Sequence, residues 1–472
     1  MWKDMLVLLQ QEWMVGVIIF LLLFVKIAAE EWPNETLLWL VNGLLLVNCI
    51  AGCAMHAEGF LFGSMYHTNR GIAFEKDLLN LGTLLISMQA WSWLKGHRHV
   101  LEFYLLLLST LLGMFFMISS ANLLLFYLGL ELSTIPLAAI SNFDLEKRKS
   151  SEAAMKFILS SAFSSGLLLL GISLIYGNTG SLGFANIAAS PYDEGILPVL
   201  AFILFFSGLA FKISAVPFHL WTADVYEGSP VPVTAYLSVV SKGAIFFVIV
   251  PLLYAVFHSM AQNLWYPMLS LLAILTMLTG NLFALRQDKL KRLLAFSSIA
   301  QVGFILVGIS GSSQAGSASV IYFILVYIFS NLGAFGVVAL ISASTGKETI
   351  QDYRGLYATN PFLSWVLAIS LFSLAGIPPT AGFFGKFFLL MAGAGPGRYW
   401  LIGIAALNMV ISLYYYLRVV KAIFMEKNDQ PVEKLTIPFV PRLALLVCAA
   451  GIVLTGLVGW VYDHIYSLSI SF

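Results

Sequence analysis

Residues 122–141 read "NLLLFYLGLELSTIPLAAIS". About twenty residues so rich in leucine, isoleucine and phenylalanine, wound as a helix, cross the roughly 30 Å hydrocarbon core of a bilayer. One carboxylate, Glu131, stands at the centre of the run. A charge at that depth is expensive, so Glu131 is expected to face the interior of a bundle and to find a partner there.

The rest of the chain agrees with a membrane setting. Its 472 residues are 60% hydrophobic and 10% charged, with a mean hydropathy of +0.89. A soluble chain of that length needs more charge to cover its surface. The net charge of +1 excludes a strong nucleic-acid footprint. Cys49, Cys53 and Cys448 have no metal or cluster spacing and read as small packing residues. The N-terminus lacks a basic leader and a small-residue cleavage site, so it reads as a retained first helix.

Windows of bilayer length give fourteen helices, near 12–29, 36–55, 77–94, 101–118, 122–141, 152–176, 194–225, 232–256, 263–285, 290–312, 316–343, 361–393, 398–425 and 440–467. None alternates with the period of barrel strands. The expected class is therefore an all-α polytopic membrane protein. Lys95 and Arg98 follow helix three, "LEKRKS" (145–150) follows helix five, and "LRQDKLKR" (285–292) follows helix nine. Lys347 and Arg354 follow helix eleven, and Lys427 and Lys434 follow helix thirteen. The segments after helices four, six, eight and ten carry no Lys or Arg. By the positive-inside rule odd-numbered helices end in the cytoplasm, and both termini lie outside. The first two loops fit less cleanly.

Helices seven and twelve are each too long for one crossing and carry prolines within: "FFSGLAFKISAVPFHLWTADVYEGSP" (205–230) with Pro217, and "LFSLAGIPPTAGFFGKFFLL" (371–390) with Pro378 and Pro379. Proline removes a helical hydrogen bond and clashes with the preceding turn. The freed backbone groups are tolerated at membrane depth where protein or a water-filled cavity receives them. Pro217 falls 116 residues after Leu101, and Pro378 falls 115 after Asn263. Equal lengths suggest two five-helix units, 101–256 and 263–425, between three N-terminal helices (1–100) and a C-terminal one (440–472). Because five is odd, the second unit is expected upside down, the pattern of a transport pathway at the midplane.

Glu131 has company at depth: Lys212 before Pro217, Lys242 in "LSVVSKGAIFFV" (237–248), and Lys386 after Pro379. Lysine suits proton handling, because burial disfavours its charged form and a nearby carboxylate favours it. A cation site would want several oxygens, and this axis offers mostly lysines, which points to protons. Glu152 and Lys156 are spaced i,i+4, as a second part of the path or a helix-end ion pair. His219, after the first break, could relay protons or bond a freed carbonyl. Gln301 cannot titrate but can order water. Asp224 and Glu227 are expected to shape a cytoplasm-facing turn. The glycine-rich "YGNTGSLGF" (176–184) has no P-loop lysine after it and reads as a turn.

Three stretches, "AFKISAVPFHLWTADVYEGSPVPVTAYLSVVSK" (210–242), "KRLLAFSSIAQVGF" (291–304) and "AGIPPTAGFFGKF" (375–387), resemble the antiporter-like subunits of respiratory complex I, the proton-pumping NADH:quinone oxidoreductase. The resemblance covers essentially the whole chain. Of the three paralogous types called L, M and N in bacteria, it is to the N type. No residues after 467 supply the lateral helix of the L type, Lys386 stands where the M type has a glutamate, and "YGNTGSLGF" looks like the N-type loop. The alternatives are the M paralogue and a core subunit of a multisubunit cation/proton antiporter. The resemblance implies that Glu131 pairs with Lys212, that Lys242 is the central relay, and that Lys386 is the terminal residue toward the outside. Glu152, Lys156 and His219 match secondary polar positions of the axis. Many members have histidine where this chain has Gln301, which leaves that position a water-ordering role. No cluster cysteines, dinucleotide fingerprint or flavin site is visible. NADH, FMN, iron–sulfur clusters and quinone are thus expected on partner subunits, with none bound by this chain. The implied partners are a neighbouring M-type subunit, the small K, J and A type subunits, lipid and protons, and the implied location is a bacterial inner membrane.

Overall fold

Caps written into the sequence set where the membrane helices begin and end. A computed structural model describes the chain except residues 1, 29–31, 55–56, 191–194, 261–263, 312, 396, 429 and 470–472. Helices one to six are Gln10–Ile27, Asn34–Ala54, Arg70–Gln89, Val100–Ile118, Leu123–Ser141 and Arg148–Thr179. Helix seven is two pieces, Ile196–Ile213 and Leu220–Gly228. Helix eight covers Val231–Val256, and helices nine to eleven are Tyr266–Ala284, Leu290–Ile309 and Ser313–Thr345. Helix twelve is again two pieces, Pro361–Ala375 and Ala381–Ala394, and helix thirteen is Tyr399–Met425. Helix fourteen divides into Phe439–Leu457 and Trp460–Leu468. The expected helix limits at 29, 55, 194, 263 and 312 lie outside the described residues, as do residues 470–472.

Among the described residues twelve helices are long and apolar enough to cross a membrane. Helix three, which carries charge, and the two short halves of helix twelve complete the expected fourteen. Asn69 caps helix three by accepting from the Ile72 amide, and Asn122 caps helix five by accepting from Leu124. Gly180 closes helix six in the left-handed region at φ 69°. Helices ten and eleven are apolar on nearly every side and lie almost wholly inside, with helix eight close to the same state.

Three features depart from the sequence expectation. The segment before helix three is not all loop: Gly59–Leu61 (β1) and Tyr66–Thr68 (β2) pair antiparallel. Helix three starts at Arg70 rather than 77, because Asn69 supplies the cap, so Glu75, Lys76 and Asp77 fall within the helix. Helix eight widens to π geometry at Leu237–Ser241, directly before Lys242, and again at Leu252–Val256.

Both chain ends reach the face that carries the hairpin. The Tyr66 hydroxyl oxygen lies 3.1 Å from the Leu8 carbonyl oxygen, and a Cβ at Gly71 would lie 3.1 Å from the Leu468 carbonyl oxygen. Helices four and five touch backbone to backbone, since a Cβ at Gly113 would fall 2.5 Å from the Ser133 nitrogen. Helices nine and ten do the same at Gly280, 2.5 Å from the Ala300 nitrogen.

Candidate functional site

The two helix breaks are built alike. The first half of helix seven ends on Ser214, at φ 64°, and the first half of helix twelve ends on Gly376, at φ 84°. The prolines themselves sit on the outside of the bundle, and the freed polar groups turn inward. In helix seven the Trp221 indole donates to the Phe211 carbonyl at 3.2 Å, and Thr276 accepts from the Val216 amide at 3.0 Å. In helix twelve Lys386 takes that part, donating to the carbonyls of Leu374 and Ala375 at 2.7 and 3.3 Å. Its ammonium also lies 4.7 Å from the centre of the Phe304 ring.

All three lysines are buried, and each is held by neutral oxygens. Lys212 donates to Ser161 at 2.7 Å and to Thr134 at 3.1 Å. Lys242 donates to Ser298 at 2.7 Å and stands 5.4 Å from the centre of the Tyr226 ring. The expected contact between Glu131 and Lys212 does not form. Lys212 is taken by Thr134, one turn along helix five from Glu131, and Glu131 keeps a buried Oε1 with no hydrogen-bond partner. The i,i+3 offset places the two side chains of helix five on neighbouring strips, and the lysine head reaches the nearer, neutral one.

Polar side chains gather in the spaces between the lysines. A small cavity of about 10 Å³, the least a single water needs, is lined by Thr134, Lys212, Leu237 and Ser241, so it runs from Lys212 to the neighbour of Lys242. Beyond Lys242, Ser298 meets Ser238 at 3.5 Å, and Ser238 accepts from Asn331 at 2.9 Å and shares a 3.2 Å bond with Tyr327. Ser297, next in the chain, bonds the Tyr416 hydroxyl. Gln301 donates to Tyr416 at 3.3 Å and to the Leu374 carbonyl at 3.0 Å, the same carbonyl that Lys386 occupies. Gln301 therefore ties Tyr416 to the carbonyl that holds the terminal lysine, and Ser297 of this group is the chain neighbour of Ser298, which holds the central one.

The other candidates lie apart from this interior line. Glu152 and Lys156 bond each other at 2.8 Å on the surface of this chain, and Lys156 also holds Asp224 at 2.7 Å. Arg292 bridges Asp224 and Glu227 at 3.0 and 2.8 Å. Burial alone would raise the Glu227 carboxyl, but bonds from Lys289 and Arg292 outweigh it and hold it at about 2. His219 is half-buried, and its Nδ1 has no hydrogen-bond partner. Among the described residues no three His, Cys, Asp or Glu side chains gather as a metal site.

One charged group escaped the sequence reading. Lys76 of helix three pairs with Glu12 of helix one at 2.6 Å, both fully inside the protein, and Tyr66 bonds both. Asp77 beside it accepts from Gln11 at 2.7 Å. The signal was available in "NRGIAFEKDLL" (69–79), where an asparagine cap starts the helix seven residues earlier than hydropathy does.

Comparison with known proteins accords with this geometry. The sequence pattern described as "NADH:quinone oxidoreductase/Mrp antiporter, TM" matches residues 120–412. A protein of Phocaeicola vulgatus called NADH-quinone oxidoreductase subunit N is 47% identical over 95% of both chains. A chain in respiratory complex I from Thermus thermophilus superposes with a TM-score of 0.83 at 30% identity, covering 96% of this chain and 98% of its own. A chain of the Mrp complex from Dietzia reaches a TM-score of 0.87 over 99% of this chain and 97% of its own. At 20% identity that likeness shows a shared fold alone.

Proposed function

The chain belongs to the NADH:quinone oxidoreductase/Mrp antiporter transmembrane family, and from its near full-length match to N-type subunits we infer that it is a proton-translocating membrane subunit of an NADH:quinone oxidoreductase. The observation that carries the mechanism is that Lys212, Lys242 and Lys386 are all buried in one interior, and each is bound only through neutral oxygens. A lysine ammonium held by neutral groups can hand its proton on and take another. Arginine cannot, since it stays charged at any accessible pH.

The proton line runs from Lys212 through the small cavity at Ser241 to Lys242. It continues along Ser298, Ser297, Tyr416 and Gln301 to Lys386. Hydroxyls accept and donate in turn, and water closes the gaps. Glu131 acts through space on Lys212 rather than by contact. Glu152, Lys156 and His219 stand at the cytoplasmic approach, where Asp224 and Arg292 connect the first two to helix ten. The matched left-handed caps at Ser214 and Gly376, and the matched backbone contacts at Gly113 and Gly280, support two inverted five-helix units over 101–256 and 263–425. The basic loops support a cytoplasmic position for the face opposite the termini.

Electron transfer belongs to other subunits of the enzyme, with an M-type subunit and the small K, J and A type subunits as the neighbours in the membrane. The test is Lys242→Ala in the complete complex, with proton pumping per NADH oxidised measured beside the amount assembled. Pumping falls sharply at unchanged assembly. Normal pumping at full assembly would remove Lys242 from the path. The relative's 47% identity over 95% of the chain favours this reading over a stand-alone antiporter.

A further inference from the structure

The path just described leaves the acidic side chain of Glu75 unused and, unlike Glu12 and Asp77, unpaired among the described residues. Helix three carries Glu75, Lys76 and Asp77 in succession, and a helix turns about 100° per residue, so the three point different ways. Lys76 and Asp77 turn to helix one, where Glu12 and Gln11 engage them. Glu75 turns elsewhere and lines a cavity of about 740 Å³. No hydrogen bond or ion pair engages its carboxylate among the described residues.

The cavity opens beside the hairpin and the C-terminal end, since Phe60, His67 and Leu468 stand on its wall. Its inner wall includes Phe247 and Val250 of helix eight and Ser317 and Ile321 of helix eleven. Phe247 follows Lys242 by little more than one turn. Leu79, one turn along helix three from Glu75, reaches the same place: a Cβ at Gly243 would lie 3.6 Å from Leu79 Cδ2 and 3.1 Å from Ile324 Cγ2. Leu79 and Ile324 thus pack against helix eight at Gly243, the residue after the central lysine, with Glu75 and the large cavity one turn along helix three.

We propose that this cavity is an outside-facing proton port, that Glu75 accepts the proton between Lys242 and that port, and that Leu79 and Ile324 form the plug between lysine and carboxylate. The inference rests on Lys242 being the central relay. An N–H bond of the Lys242 ammonium breaks, and the proton passes along water admitted when Leu79 and Ile324 part. An O–H bond forms on Glu75, leaving the amine neutral. Glu75 then releases the proton to water in the cavity and returns to the carboxylate. While the plug is closed, Glu75 stays in contact with the outside and the lysine does not, which prevents backflow.

The test uses the complete complex in sealed membranes. In Glu75→Gln, pumping per NADH oxidised falls several-fold while the complex assembles, and Glu75→Asp recovers part of it. Leu79→Ala raises passive proton backflow in the resting complex several-fold. Ser317→Cys, in a chain with Cys49 and Cys53 changed to serine, reacts with a membrane-impermeant thiol reagent added from outside. Normal pumping in fully assembled Glu75→Gln overturns the proposal. So does a Ser317→Cys thiol that stays unlabelled from outside, which decides the matter even if Glu75→Gln fails to assemble. Lys242→Ala in the same membranes separates the layers. If it pumps normally, the whole axis and this port fall together; if it is silent while Glu75→Gln pumps normally, only the port falls.

Discussion

Lys76→Met is expected to be among the most damaging single changes in the N-terminal three helices, although nothing in their apolar packing is disturbed. The Lys76 ammonium lies 2.6 Å from Glu12 Oε1, with the two side chains 1% and 3% exposed. Tyr66 donates to Glu12 at 3.0 Å and accepts from Lys76 at 3.0 Å. Glu12 Oε2 already has no partner, so removing the ammonium leaves a buried carboxylate served only by a phenol. Breaking one side of such a pair costs about 3–5 kcal/mol. Tyr66→Phe keeps the pair and loses bonds to charged groups worth about 1.5–3 kcal/mol each. Replacing both partners by apolar residues of similar volume is neutral, or stabilising by about 1–4 kcal/mol. Glu12→Leu with Lys76→Met should therefore restore what each single change loses. The coupling is then of the order of the single losses and opposite in sign to simple addition. The assay is denaturant unfolding of the purified chain in mixed micelles, comparing midpoints across wild type, both single variants and the double. A double variant as unstable as the two single losses added together would refute the reasoning. Single losses below about 1 kcal/mol, the range of exposed pairs, would refute it too.

Further expectations follow the same logic. Lys212→Arg and Lys386→Arg should assemble and pump poorly, because a permanently charged guanidinium cannot hand on a proton; full pumping in either would show that the position serves packing. Ser214 sits at φ 64°, and its hydroxyl has no hydrogen-bond partner, so Ser214→Gly should raise unfolding stability by up to about 1 kcal/mol without loss of pumping. Gly113→Ala and Gly280→Ala each force a methyl to 2.5 Å from a backbone nitrogen of the facing helix; each should lower stability by about 1–3 kcal/mol in thermal unfolding. Glu227 is held down at about 2 by Lys289 and Arg292 against the burial that would raise it. Its contribution to stability is therefore complete above its unfolded value near about 4.3 and fades as pH falls toward the folded value. Glu227→Gln should flatten the stability profile over that acid window and leave the neutral region parallel to wild type.

Composition and hydropathy by themselves determined the membrane class, the number of crossings and the two broken helices. Those properties depend on residues near one another in the chain: twenty apolar residues need a bilayer, and a proline ends the local hydrogen bonding wherever it stands. The rarity of charge at depth also singled out Glu131, Lys212, Lys242 and Lys386. What each charge touches was decided only by tertiary structure. Lys212 meets Thr134 and Ser161 rather than Glu131, because the rotation of helix five against helices six and seven fixes which strip the ammonium reaches. Lys386 meets the carbonyls freed by its own helix break, and Gln301 shares one of them from helix ten. The buried Lys76–Glu12 pair was hidden because hydropathy penalises every charge alike. A lysine and a glutamate 64 residues apart cancel only when packing brings them together, and no window along the chain contains both.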